Sequence, residues 1–192
     1  MRKVIVTEFL TLDGVYEEAT HWRGGYSPDA GTFKRDELFQ SDALLLGRVT
    51  YEGFAQYWPN ATETGEFGER MNSVPKFVAT TTLKSLEWNA TALEGDVVAA
   101  VEQLKRQEGG NLLVYGSGTF AQTLLRHGLV DELRLMVYPL VLGSGKRLFS
   151  VGDRLRLNLT TSRNLGAGVV LLIYEPTTGT SSERTPDPSG QG

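Results

Sequence analysis

The sequence predicts an α/β protein with three layers, α/β/α, whose sheet is mixed, mostly parallel, and ends in antiparallel strands. Two observations predict this class. Over the first two-thirds of the chain, apolar strands alternate with helical segments, which implies right-handed parallel crossovers. Over the last third the spacing of apolar residues changes to that of strands, and three strand-like segments follow one another: DELRLMVYPLVLG, LRLNLTT and VVLLIYE.

The first half of the chain contains three predicted strands. The first covers residues 3–10, and a long glycine-rich loop follows it, a type of loop that is usually functional or disordered in compact domains. A short helix over 33–40 precedes a second strand over 43–47, which leads directly into a helix that Pro59 ends. A polar loop connects this helix to the third strand, over 76–82.

The second half begins with the best-defined helix of the sequence. Asp96 is a good N-cap for it, and Gly109 ends it. Val97, Val101 and Leu104 fall on one face of this helix. A fourth apolar strand, LLVYG, then leads into the helix SGTFAQTLLRHG, after which the antiparallel segments begin.

Composition excludes several kinds of site. The chain of 192 residues has no cysteine and two histidines, which excludes disulfides, a thiol nucleophile and cysteine- or histidine-rich metal sites. A net charge of −4 without a basic run argues against a nucleic-acid surface. The N-terminus has the pattern of a strand rather than a signal peptide, and no apolar stretch reaches the roughly twenty residues of a membrane span. We therefore expect a cytoplasmic protein without a bound metal.

We expect one domain over residues 1–175 and a disordered tail over 176–192. The tail, PTTGTSSERTPDPSGQG, is rich in proline, glycine, serine and threonine and contains no large apolar residue. Such a segment cannot bury enough apolar surface to offset the conformational entropy lost on ordering.

Two strand-to-helix junctions share one pattern: an apolar strand, a glycine, small polar residues and the start of a helix. The first junction, LLLGRVTYE, offers Gly47, Arg48 and Thr50. The second, LLVYGSGTFAQ, offers four more residues: Gly116, Ser117, Gly118 and Thr119. Glycine lets backbone N–H groups approach an anion, and a helix N-terminus adds positive potential. Two such cradles on neighbouring strands suit a ligand with separated phosphates, such as a dinucleotide.

Each junction also has a plainer interpretation. Glycine at a strand-to-helix turn is often only a turn residue, and Arg48 has the pattern of an ordinary surface cation. GSGTFA matches the dinucleotide fingerprint with alanine in the last position. It lies late in the chain, however, and antiparallel strands follow it, which argues against a Rossmann domain. The threonines of the strand over 76–82 are also common strand formers.

The chain resembles the dihydrofolate reductase-like superfamily, and more closely the reductase domain of the bifunctional riboflavin-biosynthesis deaminase-reductases. The resemblance runs over residues 1–174, and four segments carry it: TLDG at 11–14, LLLGRVTYE at 44–52, LLVYGSGTF at 112–120 and GLVDELRLMVYPLVLGSGKRLF at 128–149. It implies a dihydrofolate reductase-like fold, NADPH as the cofactor and a homodimer paired through the closing antiparallel strands. The zinc deaminase half of the bifunctional members is excluded, because its cysteine ligands are missing.

The same resemblance implies roles for the junction residues. Gly47, Arg48 and Thr50 would bind phosphate groups of NADPH, with Arg48 near the adenosine 2′-phosphate. The four residues of the second junction would hold the pyrophosphate. Three threonines at the end of the third strand would contact the same ribose phosphate as Arg48: Thr80, Thr81 and Thr82.

Asp13 and Glu37 are the candidate catalytic residues. The TLDG loop would cover the nicotinamide, with Asp13 anchoring that loop or standing near the reacting carbon. In dihydrofolate reductases a carboxylate on the first helix binds the pterin and assists protonation, and Glu37 lies on the corresponding helix, although its spacing to Gly47 is shorter. The plainer alternatives are a turn residue before Gly14 for Asp13 and a solvated helix face for Glu37.

These expectations describe a reductase of riboflavin-pathway type that transfers a hydride to a C=N or C=O carbon of a heterocycle-linked substrate. Two alternatives stay open: a dihydrofolate or pterin reductase, and a nucleotide-binding protein without turnover. The reductase interpretation requires that Gly47 and Gly116 open onto the same side of the sheet.

Overall fold

A computed structural model describes residues 1–149 and 151–177 of the chain. Within this part, eight strands form one sheet with helices on both faces. The strands are Val4–Thr11 (β1), Ser41–Gly47 (β2), Lys76–Ala79 (β3), Ala90–Ala92 (β4), Asn111–Tyr115 (β5), Glu132–Tyr138 (β6), Leu157–Asn164 (β7) and Val170–Pro176 (β8). The helices are Ala19–Trp22 (α1), Pro28–Phe39 (α2), Arg48–Tyr57 (α3), Gly65–Ser73 (α4), Val97–Arg106 (α5) and Gly118–Arg126 (α6).

The sheet has the order β4-β3-β2-β5-β1-β6-β8-β7. The strands from β4 to β6 in this order run parallel to one another, and β8 and β7 are antiparallel to their neighbours. Parallel neighbours require crossover connections, and the chain supplies helices for them, as the alternating pattern predicts. The predicted fold class, a mixed and mostly parallel sheet ending in antiparallel strands, is confirmed.

The helices form two layers because β1 has apolar residues on both faces. Val4 and Val6 pack with α5 and α6 on one face, in a cluster that includes Leu104 and Leu124. Ile5 faces the opposite side, in a second cluster to which α2, α3 and α4 contribute. Successive side chains of a strand point to opposite faces, so a strand covered on both sides is apolar at nearly every position.

Strand β1 extends beyond the end of β5. Its pairing with β5 stops at Thr7 opposite Tyr115, whereas its pairing with β6 continues to Thr11 opposite Tyr138. The backbone of β1 therefore has an open side beyond Tyr115, at the edge where the carboxyl ends of the parallel strands lie. In open α/β sheets, ligands bind at this edge.

Several elements differ from the sequence prediction. Helix α2 begins at Pro28 rather than at 33, because Ser27 caps it by accepting a hydrogen bond from Ala30 N–H at 3.2 Å. Helix α4 and the short strand β4 lie where no helix or strand is predicted. The third strand ends at Ala79, and the three threonines after it lie outside the strand.

The structure describes the first two residues of the predicted tail, residues 176 and 177. The last strand includes Pro176, and Thr177 N–H donates to the carbonyl of Arg156 at 2.9 Å. Residues 178–192 of the predicted tail lie outside the described residues. No helix among residues 1–149 and 151–177 is long and apolar enough to cross a membrane.

Candidate functional site

The two glycine junctions lie side by side at the carboxyl edge of the sheet. Strands β2 and β5 are neighbours, and Gly47 N–H donates to Ser117 Oγ at 2.9 Å. A Cβ atom added to Gly116 would lie 3.7 Å from Thr50 Cγ2, so the junctions also meet at a second point. The structure thus brings Gly47 and Gly116 to the same side of the sheet.

Helices α3 and α6 both begin at this point, one from each face of the sheet. Neither receives a hydrogen bond from the side chain at its N-cap, Gly47 for α3 and Ser117 for α6. Helices α2 and α5, in contrast, are capped by the side chains of Ser27 and Asp96. The first N–H groups of α3 and α6 therefore have no side-chain cap, and their positive potential adds up at one place.

Two left-handed residues precede α6. Gly116 has φ 60° and Ser117 has φ 67°, which is unusual for a residue other than glycine. The serine hydroxyl bridges the two junctions, because it accepts from Gly47 N–H and donates to Tyr115 O at 3.3 Å. Successive turn residues of this kind form concavities that bind anions.

Tyr16 forms one wall of the second junction, a feature that the sequence prediction missed. A Cβ atom on Gly118 would lie 2.4 Å from Tyr16 Cζ, so a side chain at this position would displace the Tyr16 ring. Tyr16 Oη lies 3.3 Å from Thr119 Oγ1, and both residues are at the surface. The ring and the two hydroxyls therefore border the N-terminus of α6.

The other predicted phosphate contacts surround the start of α3. Arg48 is exposed, and its Nη1 bonds Glu52 Oε2 at 2.8 Å along the helix. Ala79 lies opposite Gly47 in the sheet, which places Thr80 beside the first junction. Thr80 Oγ1 accepts from the backbone N–H groups of Thr82 and Leu83. It stabilises a turn in which Thr81 and Thr82 are exposed.

Asp13 anchors two loops to each other. Its carboxylate accepts from Thr11 Oγ1 at 2.6 Å and from Gly143 N–H at 2.9 Å, and Arg147 Nη2 lies 3.2 Å from it. The hydrogen bond from Thr11 holds the pKa of Asp13 well below its usual range. A carboxylate that is ionised and used as an acceptor is no source of protons, so the geometry supports the anchoring role of Asp13.

Glu37 is buried, and its alternative interpretation as part of a solvated helix face is wrong. It is 1% exposed and faces β1 from α2. Its Oε1 contacts Lys34 Nζ and accepts from Thr7 Oγ1 at 3.2 Å. Its Oε2 lies 3.6 Å from Arg134 Nη1 and has no hydrogen-bond partner among the described residues. Lys34 is the partner that sequence reasoning missed, although its position three residues before Glu37 on one helix was a usable signal.

A cleft of about 230 Å³ opens beside the ends of β1 and β6. Ala30 of α2 and a turn of the β7–β8 hairpin form part of its wall. Three aromatic side chains and one guanidinium form the rest: Trp22, Tyr26, Tyr138 and Arg23. Arg23 stacks over the Tyr26 ring at 4.3 Å, and burial raises the pKa of Tyr26 to about 12. The cleft can take a planar ring, and Arg23 supplies positive charge at its wall.

Comparison with known proteins shows what this chain is similar to. The RibD C-terminal domain family matches residues 2–171. The uncharacterized protein YyaP of Bacillus subtilis strain 168 is 30% identical over 177 residues, which covers 90% of this chain and 94% of that protein.

Two solved structures show the same fold at lower identity. A candidate riboflavin biosynthesis protein of Shewanella sp. PV-4 has 22% identity and a TM-score of 0.72, covering 91% of this chain and 99% of that one. The Thermotoga maritima diaminohydroxyphosphoribosylaminopyrimidine deaminase/5-amino-6-(5-phosphoribosylamino)uracil reductase has 14% identity and a TM-score of 0.66. The match covers 92% of this chain and 57% of the Thermotoga chain. These neighbours confirm the dihydrofolate reductase-like fold, and the match over residues 2–171 shows that the chain belongs to the RibD C-terminal domain family.

Proposed function

We propose that this protein is an NADPH-dependent reductase of the riboflavin-biosynthesis type, which reduces 5-amino-6-(5-phosphoribosylamino)uracil or a similar heterocycle. One observation carries the proposal: two helix N-termini without side-chain caps meet at Gly47 and Ser117, and an aromatic cleft lies on the same edge of the sheet. A dinucleotide needs this combination of paired anion sites and an apolar surface for its reacting ring.

The residues present fit NADPH. Gly116 adopts the left-handed conformation, φ 60°, without the strain that a side chain would add, and Gly118 lets the Tyr16 ring lie against the start of α6. We assign the pyrophosphate to the second junction and the adenosine 2′-phosphate to Arg48 with Thr80, Thr81 and Thr82. When bound, the reduced nicotinamide supplies a hydride. The chain's own residues orient the two reacting rings and exclude water from them.

The cleft supports a planar heterocyclic substrate. Trp22, Tyr26 and Tyr138 offer ring faces, and Arg23 offers a guanidinium for an anionic or carbonyl group. A dihydropterin is the second candidate, because Glu37 lies buried on the helix that borders the cleft. One of its oxygens has no hydrogen-bond partner within the part of the chain that the structure describes. Such an oxygen would accept from an amino group of a pterin ring.

The test is a cofactor-oxidation assay that follows the absorbance of the reduced nicotinamide. The phosphoribosylamino-pyrimidine, dihydrofolate and a dihydropterin are each added with NADPH, and binding of NADPH alone is measured by fluorescence. Oxidation by the pyrimidine supports the main proposal, and oxidation by a pteridine alone supports the second candidate. Binding of NADPH without oxidation by any of the three would contradict both and favour a nucleotide-binding protein without turnover.

A further inference from the structure

An ion pair lies buried in the helix layer next to the cleft. The side chains of Lys34 and Glu37 are 2% and 0% exposed, and both face β1 from one turn of α2. Lys34 Nζ contacts Glu37 Oε1 and donates to Thr7 Oγ1 at 3.1 Å. Apolar residues of similar size would often stabilise such a position as well or better, so stability alone does not account for the pair.

The ammonium of Lys34 lies where β5 ends. Its partner Thr7 is opposite Tyr115, the last residue of β5, and Lys34 Nζ lies 3.9 Å from the centroid of the Tyr115 ring. Gly116 follows at once and begins the second junction. Lys34 is therefore next to both the open side of β1 and the place where two helix N-termini meet.

The Phe9 ring connects Lys34 to the cleft. Its centroid lies 5.0 Å from Lys34 Nζ, and 5.9 Å and 6.0 Å from the ring centroids of Tyr26 and Tyr138, which line the cleft. The ring of Phe9 therefore lies between the Lys34 ammonium and the two tyrosine rings of the cleft. Contact between a ligand in the cleft and Lys34 therefore requires the Phe9 ring to rotate away.

Two groups of the pair lie outside its hydrogen bonds: one N–H of the ammonium beside the Tyr115 ring, and Glu37 Oε2, which lies 3.6 Å from Arg134 Nη1. A lysine ammonium carries three N–H donors, and Thr7 and Glu37 account for two of them. Glu37 Oε2 is buried and has no hydrogen-bond partner in residues 1–149 and 151–177. A heterocycle with a ring nitrogen or carbonyl next to an amino group matches this arrangement of donor and acceptor.

We propose that Lys34 is the proton donor of this site and that Glu37 is its positioning residue, an inference that rests on the reductase function proposed above. The carbon of a C=N or C=O bond would receive the hydride that the reduced nicotinamide supplies when bound, and the π electron pair of that bond would move to the nitrogen or oxygen. This atom takes a proton from Lys34 Nζ, whose N–H bonding electrons remain on the nitrogen as a neutral amine. Water returns a proton to Lys34 after the product leaves.

Charged and aromatic groups from every neighbouring element act on Lys34. Burial lowers the pKa of Lys34 from its ordinary value, and Glu37 opposes this shift from the same helix. Glu8 on β1 also raises the pKa, whereas Arg134 on β6 lowers it. Tyr115 on β5 contributes its ring face. An acid whose pKa lies closer to the working pH transfers its proton more readily.

The first test is an NMR titration of the lysine side chains, labelled with ¹⁵N at Nζ, in the cofactor-free protein. Lys76 is the matched control, because it is also buried, at 1% exposure, but lies at the start of β3, on the opposite edge of the sheet. We expect Lys34 to titrate below the ordinary lysine value of 10.5. We also expect its signal to shift on addition of the probe 5,6-diaminouracil, while the signal of Lys76 stays in place.

The second test is the pH dependence of hydride transfer in a single turnover, for the wild type and four variants. The wild-type rate constant should fall as the pH rises through the Lys34 pKa, because only the protonated amine donates. Lys34→Met should lower the rate constant roughly 100-fold, the scale of general acid catalysis, and abolish this fall. Lys34→Arg keeps the positive charge beside Glu37 and guards against loss of folding, and it should abolish the fall as well. Lys76→Met should leave the profile unchanged.

Glu37→Gln tests the positioning role. Loss of the negative charge removes a group that raises the Lys34 pKa, so the fall of the hydride-transfer rate constant with pH should move to lower pH. The NADPH affinity should stay within about twofold of the wild type. If Glu37 had only a structural role, Glu37→Gln would lower the stability of the protein without moving this fall of the rate constant along the pH axis.

The outcomes separate the two proposals. If the wild type reduces no heterocycle, the reductase function fails, and the NMR titration still decides whether Lys34 is an acid with a lowered pKa beside the cleft. If the wild type turns over and Lys34→Arg or Lys34→Met keeps its rate and profile, the inference about Lys34 is wrong. A Lys34 that titrates at the ordinary lysine value, or a heterocycle that binds without shifting its signal, would also overturn it.

Discussion

Gly47 and Ser117 are 70 positions apart in the sequence, yet Gly47 N–H donates to Ser117 Oγ at 2.9 Å. The bond joins the end of β2 to the start of α6, so each junction depends on the other for its geometry. Ser117 adopts a left-handed conformation, with φ 67°, to make this contact. A non-glycine residue in that conformation is strained, and the hydrogen bond offsets part of the strain.

Ser117→Ala should destabilise the protein by about 1–2 kcal/mol, because Gly47 N–H loses its acceptor while the left-handed strain remains. Ser117→Gly should cost less, since glycine removes the strain together with the hydroxyl. Urea unfolding of both variants gives the difference, with Ser73→Ala as a control at an exposed serine. Equal stability of Ser117→Ala and the wild type would show that the bond contributes nothing.

Gly47→Ala should weaken NADPH binding without affecting stability. The added Cβ would lie 3.5 Å from Ser117 Cβ and 3.6 Å from Phe120 Cβ, which are ordinary contact distances, and Gly47 has φ −75°, which alanine adopts freely. The methyl group would nevertheless narrow the approach to the first N–H groups of α3. Fluorescence titration measures the affinity, and Gly31→Ala, in α2 with open space around it, is the control. Unchanged NADPH affinity would remove the first junction from the proposed site.

Arg48→Ala should weaken NADPH by about 1–3 kcal/mol and leave NADH nearly unchanged, the scale of a charge-assisted hydrogen bond to the 2′-phosphate. Glu52→Gln should strengthen NADPH modestly, because it frees the guanidinium from the carboxylate that holds it at 2.8 Å. The control is Arg106→Ala, which breaks a similar exposed pair with Glu102 on α5. If both cofactors weaken alike in Arg48→Ala, the arginine is structural.

The sequence predicted the parallel core of the fold because its signals are local. Apolar runs that end in glycine mark β2 and β5, and an N-cap with apolar residues at helical spacing marks α5. The burial of the apolar face of β7 was harder to predict. Leu157 and Leu159 alternate with polar residues in this strand, yet Leu159 is 48% exposed, because β7 is an edge strand. Alternation reveals a strand but not what covers it.

The site was predictable only in part, for a related reason. Glycine, serine and threonine at a strand end mark a junction in the sequence itself. Tyr16 carries no such mark, because its position depends on a loop that folds back over the sheet. The spacing of Lys34 and Glu37 marks a pair on one helix but not a buried one. Lysine and glutamate three residues apart on a helix usually form a solvated pair, and their burial follows only from the packing of α2 on β1.

Glu8→Gln should make the protein more stable above neutral pH. Glu8 is buried on β1, and one of its oxygens has no hydrogen-bond partner in the described part of the chain. Burial raises the pKa of Glu8 to about 8, and Lys34 opposes this shift. In the unfolded chain the carboxyl ionises near its ordinary value of 4.5. Between these two values the unfolded state releases a proton that the folded state keeps, so the free energy of unfolding decreases as the pH rises from about 4.5 to about 8.

Glutamine has the same shape without the charge, so Glu8→Gln should remove this decrease and add roughly 2–4 kcal/mol to the free energy of unfolding at pH values above the folded pKa. Urea unfolding at acidic and at alkaline pH measures the effect, and Glu102→Gln, an exposed glutamate on α5, is the control. If wild type and Glu8→Gln lose stability equally over this interval, Glu8 is already ionised in the folded protein.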